Sequence, residues 1–306
     1  MSERSPKNLQ GSQLLVYCLI GFLAPICTIL LVNSDSPIQR YLRKPPAAEL
    51  VSPASASASL TPEKDITVLK DTALSVRSGS SFARIKDSAG LDPLSDQFFM
   101  LAFKVKFKKL PSVGHRQNII EKYEAATFPY SGWSFGVSQL GTSFRPEFYW
   151  RGSEGKGGWY TFSDFKAEAN RWYSFAVLAR GENYASLFME TVASKPKFLG
   201  GVSLKDVKNP VSNSDLLLGA VREGEIAFHG DLGSVLIGFP EELPSTPEEL
   251  SEYLAGGPDK IVEKLTNQEL KLWVDSSGTD KSKFQRDIIL NGSSSWLSKP
   301  SNPSSN

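Results

Sequence analysis

Cysteine is nearly absent from this sequence. The chain of 306 residues has two cysteines, Cys18 and Cys27, and both lie in one apolar stretch near the N-terminus. The remaining residues therefore offer neither a disulfide framework nor a cysteine-ligated zinc site. Whatever folds here has to be held by its own hydrophobic core, for which about 200 residues are sufficient.

Charge imbalance and cofactor motifs are also lacking. The formal net charge is +1 and the isoelectric point is about 7.7, which indicates no nucleic-acid partner. The sequence contains no P-loop, dinucleotide-binding fingerprint, H-E-x-x-H or EF-hand pattern, so it predicts no organic cofactor. Histidine is limited to His115 and His229, which leaves few candidates for a general base.

One long apolar run stands near the N-terminus. Leu14–Val32 is nineteen residues without a charge, and a helix of that length spans ~28 Å, close to the hydrocarbon core of a bilayer. Basic residues flank it almost equally, so the positive-inside rule does not decide its direction. We expect a single-pass signal-anchor with the C-terminal domain outside the cytoplasm, in the periplasm or at the cell surface. Cleavage as a signal peptide is the alternative.

Composition divides the rest of the chain. A Pro/Ala/Ser-rich segment, 45–62, is too poor in large apolar residues to offset its ordering entropy and predicts a stalk. The predicted organisation is an N-terminal tail (1–13), a transmembrane helix (14–33), the stalk (34–64), a folded domain (65–292) and a disordered Ser/Pro/Asn-rich tail (293–306).

The folded domain reads as many short strands. Phe99, Leu101, Phe103, Val105 and Phe107 alternate with residues that end in a lysine row, which is typical of a half-buried strand. Similar alternation recurs at 133–137, 148–150, 173–177, 184–189, 216–221 and 235–239, with turn residues between the segments. The pattern predicts an all-β, two-sheet antiparallel jelly-roll sandwich. A capping box at Thr246 predicts a short helical addition over 241–267, followed by late strands at 270–274 and 288–290.

Several of these segments resemble the laminin-G-like branch of the concanavalin-A-like lectin/glucanase superfamily. The resemblance rests on four strands (98–105, 119–122, 170–177 and 184–189) and on a closing strand-to-helix segment (223–254), and together they cover roughly residues 70–255. It implies a sandwich with a concave face and rim loops that bind glycans or proteins. The family's aspartate associated with calcium falls at Gly233 here. Asp231 is the substitute, although a lone aspartate on a turn is more often a solvated turn former.

An aromatic and basic cluster is the main candidate for ligand binding. Trp150, Arg151, Trp159 and Tyr160 flank the glycine-rich loop 152–158. Sugars dock their C–H faces on exposed aromatic rings, and arginine bonds their hydroxyls. The alternative is that Trp150, at strand spacing from Phe148, belongs to the core.

Catalytic patterns are weak. Gly132–Gly136 is a formal G-x-S-x-G, but a nucleophile elbow needs a helix after the serine, and here the strand pattern continues. The glucanase E-x-D-x-x-E pattern fails after Glu225, where Ala227 replaces the aspartate. The sequence therefore predicts a membrane-anchored, non-catalytic binding module for a glycan or an extracytoplasmic protein. A divergent glycoside hydrolase and a structural protein-interaction scaffold are the alternatives.

Overall fold

The structure is a computed structural model. It describes residues 73–296 except for 77–81, 89, 95, 125–129, 192–193, 220–227, 276 and 292–294. The predicted anchor (14–33) and stalk (34–64) lie outside the described residues. Among the residues that are described, no helix has the length and apolar character needed to cross a bilayer.

Two antiparallel sheets form the domain. Sheet A has the strand order β10-β9-β8-β3-β12-β1-β15, and β13 also pairs with β12. Its strands are β1 Leu74–Val76, β3 Phe99–Phe107, β8 Trp172–Arg180, β9 Tyr184–Thr191, β10 Lys197–Ser203, β12 Gly230–Gly238, β13 Leu270–Val274 and β15 Ser295–Trp296. Sheet B has the order β14-β2-β11-β4-β5-β6-β7. Its strands are β2 Phe82–Ile85, β4 Arg116–Glu124, β5 Ser131–Leu140, β6 Ser143–Arg151, β7 Gly157–Thr161, β11 Leu216–Leu218 and β14 Ile288–Asn291. The predicted all-β sandwich is confirmed.

The core lies between the two sheets. Alternate residues of β3, from Phe99 to Phe107, point inward and are fully buried. They meet aromatic residues of sheet B: Phe103 contacts Phe135 with ring centroids 5.0 Å apart, and Phe99 contacts Trp133 at the same distance. Burial of such large side chains supplies most of the stabilising free energy of a sandwich without disulfides.

Two short helices cover part of the outer face of sheet A. Helix α1 (Pro247–Leu254) begins at Thr246, whose side chain accepts a hydrogen bond from the Glu249 N–H, as the capping box predicts. Helix α2 (Pro258–Ile261) follows and continues into a 3₁₀ turn. Leu254 and Ile261 pack on Met100 and Ala102 of β3. The helices therefore bury part of this outer face, and Lys104 and Lys106 of β3 stay partly exposed on the rest of it.

The C-terminal end of the domain differs in part from the prediction. The late strands are present as β13 and β14. Within the segment predicted to be a disordered tail, 293–306, Ser295–Trp296 instead form β15 and pair with Leu74 and Ser75 of β1. Backbone pairing with an otherwise open edge strand explains why residues of this polar segment adopt strand structure.

Candidate functional site

A row of small residues runs along the outer face of sheet B. On β5, Gly132, Ser134, Gly136 and Ser138 alternate with the buried core residues Trp133, Phe135 and Val137. Neighbouring outward residues come from β4 and β6, since Ser134 pairs with Glu121 and with Tyr149 in the strand register. A Cβ at Gly136 would lie 2.6 Å from Asn118 Oδ1, so glycine is needed there. Small residues on β5 allow longer side chains from both sides to lean over it.

Aromatic rings close over one part of this row. Tyr123 on β4 and Tyr149 on β6 meet edge to face across β5, with centroids 4.9 Å apart and hydroxyl oxygens 3.4 Å apart. Trp159 stands opposite Tyr149 on β7, with centroids 5.1 Å apart. Tyr130, just before β5, has its ring centroid 6.4 Å from that of Tyr123. Trp159 and Tyr130 are each 37% exposed, so this surface presents aromatic rings to solvent.

Two arginines complete the surface. Arg116 forms an ion pair with Glu147, and its guanidinium lies 3.7 Å from the centroid of the Trp159 ring. Glu147 also accepts a 2.7 Å hydrogen bond from the Ser138 hydroxyl. We call Arg116, Tyr123, Tyr130, Tyr149, Arg151 and Trp159 the aromatic face.

Arg151 is fixed at the end of β6 beside the glycine-rich loop. Its Nε donates a 2.9 Å hydrogen bond to the Gly155 carbonyl, and its guanidinium lies 5.8 Å from the Tyr130 ring centroid. A hydrogen bond with the Tyr149 side chain raises the pKa of Arg151. This cation therefore stays charged at the rim of the aromatic face.

The four residues predicted for ligand binding divide between two faces. Arg151 and Trp159 lie on the aromatic face. Trp150 is fully buried in the core, where it contacts Phe99 with centroids 5.4 Å apart, so it is not available to a ligand. Tyr160 is half-buried and packs against the same core. Strand alternation causes this division, because adjacent residues of one strand point to opposite sides.

Sequence reasoning did not select four members of the aromatic face as ligand-binding residues: Arg116, Tyr123, Tyr130 and Tyr149. Tyr149 stands between Phe148 and Trp150, so its opposite orientation to that apolar pair was a usable signal. Tyr123 and Arg116 lie on a different strand, and a register shift between Asn118 and Ile120 sets their alignment with β5. Local pattern carries little information about such an alignment.

Asp231, the residue that the sequence offers as a calcium ligand, is not a solvated turn residue. It lies on β12 with 1% of its side chain exposed, 3.1 Å from Lys106 Nζ, and it pairs with Lys108 as well. Two ammonium groups therefore occupy the carboxylate that calcium would need. In the part of the chain that is described, no cluster of three or more acidic, histidine or cysteine residues fits a metal ion.

The residues of the weak catalytic patterns do not lie in a catalytic arrangement in the structure. Ser134, in the G-x-S-x-G segment, lies in the middle of β5, and no helix follows it. His115 is exposed and lies beside Gln139, near the end of β5. Arg151 lies beside Gly132, near the start of that strand. Glu147 is already held by Arg116 and Ser138. Glu223 and Glu225 lie outside the described residues.

Comparison with known proteins gives structural neighbours only. No protein-family model and no curated protein matches the chain. Solved structures do match, and laminin LG domains are among them. The mouse laminin alpha1 chain, domains LG4-5, matches with a TM-score of 0.36 and 12% identity, covering 62% of this chain and 46% of that chain.

Two further neighbours are a toxin domain and a phage protein. The botulinum neurotoxin serotype D binding domain matches with a TM-score of 0.40 and 14% identity, covering 60% of this chain and 41% of that one. A tailspike protein of an Escherichia coli O157:H7 bacteriophage matches with a TM-score of 0.40 and 11% identity. The match covers 60% of this chain and 24% of the tailspike chain. The chain thus spans less than half of each of these solved chains. The neighbours include the laminin-G-like family that the sequence resembles, and at these scores they carry no argument about a ligand.

Proposed function

We propose that this chain is a non-catalytic binding module that recognises a glycan on the aromatic face. The observation that carries the proposal is the placement of Tyr149 and Trp159 side by side on the outer surface of sheet B, with Arg116 and Arg151 beside them. Helices cover part of the equivalent surface of sheet A, and the lysines on the rest of it are paired with Asp231 and Asp259. The aromatic face is therefore the part of the sandwich best suited to contact a ligand.

The chemistry of this surface suits a sugar. The apolar C–H face of a pyranose ring packs on an aromatic ring, while arginine N–H groups donate to its hydroxyls. Trp159 offers a large ring that is 37% exposed, and Tyr130 offers a second one. The ring of Trp159 is held by Tyr149 and Arg116, so little side-chain entropy is lost when a ligand binds.

The contacts of Glu147 support the non-catalytic part of this proposal. A glycoside hydrolase needs two carboxyl groups that face one cleft, one of them free to give up a proton. Glu147 is instead engaged by Arg116 and by the Ser138 hydroxyl. Those contacts leave the Glu147 carboxyl group engaged within the sheet and not directed toward a ligand.

The location is proposed from the sequence alone. The uncharged run Leu14–Val32 is long enough to span a bilayer, and a Pro/Ala/Ser-rich segment separates it from the sandwich. We propose that the run anchors the chain in a membrane with the sandwich outside the cytoplasm, as a single-pass protein. Such a position would present the aromatic face to polysaccharides or to proteins at the cell surface or in the periplasm.

A glycan array tests the proposal directly. The full-length chain, purified in mild detergent, is screened with calcium and with a chelator, beside the variant Trp159→Ala. Trp172→Ala is the matched control, because Trp172 is a partly buried tryptophan under a lysine on the opposite sheet. We expect binding that is independent of calcium, lost in Trp159→Ala and retained in Trp172→Ala. Absence of binding to every glycan would leave a protein ligand as the better account.

A further inference from the structure

Lys122 lies inside the sandwich in contact with two carboxyl groups. None of its side chain is exposed, and its ammonium nitrogen is 2.9 Å from Asp87 Oδ1 and 3.0 Å from Asp92 Oδ2. The ammonium also donates to the Ser212 carbonyl. The fully buried Trp133 stands opposite Lys122 in the pairing of β4 with β5. A primary amine and two carboxyl groups are therefore held together in a poorly hydrated place.

The two carboxyl groups differ in their surroundings. The Asp92 side chain is 20% exposed and follows the fully buried Leu91, whereas the Asp87 side chain is 31% exposed. Burial raises the pKa of Asp92, which makes the neutral acid easier to reach. Asp92 Oδ1 is buried and has no hydrogen-bond partner among the described residues. An unpaired oxygen is more costly on a buried carboxylate than on a neutral amide.

We infer that Lys122 and Asp92 condense to form an amide bond within the folded chain, and that Asp87 carries the proton in this reaction. The site is an autocatalytic modification site, and it is independent of the proposed glycan site. Reactants that are held in contact by the fold react far faster than the same groups do when they meet in solution, because no translational or rotational freedom has to be lost.

The reaction needs no co-reactant. The Lys122 ammonium passes a proton to the Asp92 carboxylate across the 3.0 Å contact, which leaves a neutral amine and a neutral acid. The amine nitrogen attacks Cγ of Asp92, and a tetrahedral intermediate forms with a new N–C bond. The Asp87 carboxylate takes a proton from that nitrogen and delivers it to the hydroxyl of Asp92. The C–O bond breaks, and one water leaves.

The product removes buried charge from the core. Asp87 ends the reaction as the carboxylate that it was at the start. One ammonium and one carboxylate are replaced by a neutral amide, so the desolvation cost of that buried pair is relieved. The amide joins β4, inside sheet B, to the segment between β2 and β3. Both cysteines of the chain lie outside the sandwich, at positions 18 and 27, so this bond would supply a covalent cross-link that disulfides do not.

A second contact between lysine and aspartate shows why the number of carboxyl groups matters. Asp231 is 1% exposed and contacts Lys106 at 3.1 Å and also Lys108. Here one carboxylate is shared by two ammonium groups, and both lysines are partly exposed. A carboxylate neutralised in this way is a poor electrophile. We therefore expect no amide at Asp231, which makes it an internal control.

Mass spectrometry of the full-length chain tests the inference without a ligand. The protein is purified in mild detergent, denatured and digested with trypsin. The amide blocks cleavage after Lys122 and joins the tryptic peptides 87–104 and 117–151 into one branched peptide. The mass of this peptide is the sum of the two masses less one water. Fragmentation of the branched peptide identifies the aspartate that carries the branch.

Four variants accompany the unmodified chain. Lys122→Met and Asp92→Ala each remove one partner of the amide, and Asp87→Ala removes the proton carrier. Asp259→Ala is the matched control, because Asp259 contacts a lysine on the outer face of sheet A, where both side chains are more exposed. We expect the branched peptide from the unmodified chain and from Asp259→Ala, and none from Lys122→Met or Asp92→Ala. The linked fraction should fall at least tenfold in Asp87→Ala.

The unmodified chain decides the outcome even if a variant does not fold. Two separate peptides from that chain after prolonged incubation would overturn the inference. A branch at Asp87 would overturn the assignment of the two carboxyl groups, and an unchanged linked fraction in Asp87→Ala would overturn the role of Asp87. Each of these results is independent of whether the chain binds a glycan.

Discussion

The guanidinium of Arg116 lies over Trp159, with its Cζ atom 3.7 Å from the indole ring centroid. Glu147 holds the same guanidinium by an ion pair. A charge on β4 is thereby fixed over a ring on β7, although β5 and β6 separate the two strands. This contact orders an exposed ring of the aromatic face and offers a quantity that can be measured without a ligand.

We expect the Arg116–Trp159 contact to show as a coupling free energy. Cation–π contacts at partly exposed sites are worth about 0.5–1 kcal/mol. A double-mutant cycle of Arg116→Ala and Trp159→Ala, followed by urea unfolding, should give a coupling of about that size. Arg145 provides the control, because it pairs with Asp164 at 2.8 Å and has similar exposure. Its cycle with Trp159 should give about zero, and an equal coupling for both arginines would refute the specific contact.

Trp150 and Trp159 should respond very differently to truncation. Trp150 is fully buried between the sheets, so Trp150→Ala should lower the free energy of unfolding by about 3–5 kcal/mol. Trp159 is 37% exposed, so Trp159→Ala should lower it by about 1 kcal/mol. Urea unfolding of both variants measures the difference. Comparable losses would show that Trp159 is a core residue and would remove it from the aromatic face.

Strand alternation was enough to predict the fold, but it predicted only part of the aromatic face. The apolar period of two along β3 is enough to identify the inward face of that strand. The same rule places Tyr149 and Arg151 together, opposite Trp150. It does not say which residues of β4 lie beside them. That depends on the register shift near Asn118, which is a property of the pairing between β4 and β5 and is not visible in the sequence of either strand alone. The crossing of Tyr123 with Tyr149 was therefore beyond sequence reasoning.

Buried charges were the other part that sequence could not supply. Lys122 follows Ile120 at strand spacing and points inward with none of its side chain exposed. Its ammonium lies 2.9 Å from Asp87 Oδ1 and 3.0 Å from Asp92 Oδ2, and it also donates to the Ser212 carbonyl. Those partners come from loops that are distant in sequence, so no local pattern indicates that this lysine is compensated.

Removal of the Lys122 ammonium should be strongly destabilising and dependent on pH. Burial raises the pKa of Asp92, and Lys122 is the main group that opposes this rise. In Lys122→Met the pKa of Asp92 rises further. A carboxyl with a higher pKa in the folded state binds more protons when folded, so stability increases as pH falls through the interval between the folded and unfolded pKa.

We therefore expect Lys122→Met to lose about 3–5 kcal/mol near neutral pH and to recover part of that loss in acid. Urea unfolding at a series of pH values checks this. Lys109→Met, at an exposed lysine, should change stability by no more than about 0.5 kcal/mol at any pH. A loss in Lys122→Met that is the same at every pH would mean that packing, and not uncompensated carboxylates, is responsible.

We expect calcium to have no effect on stability, because the Asp231 carboxylate already forms ion pairs with Lys106 and Lys108. A ligand present at 100 times its dissociation constant stabilises a protein by about 2.7 kcal/mol, which shifts the melting temperature by several degrees. We expect the same melting temperature in millimolar calcium and in chelator.

The variant Asp231→Asn should lower the melting temperature in both conditions, since Lys106 and Lys108 lose their shared partner. Asp259→Asn is a suitable comparison, because the Asp259 side chain pairs with Lys104 but is 42% exposed, against 1% for Asp231, and should matter less. A calcium-dependent rise that disappears in Asp231→Asn would instead show that the lysines yield the carboxylate to the metal.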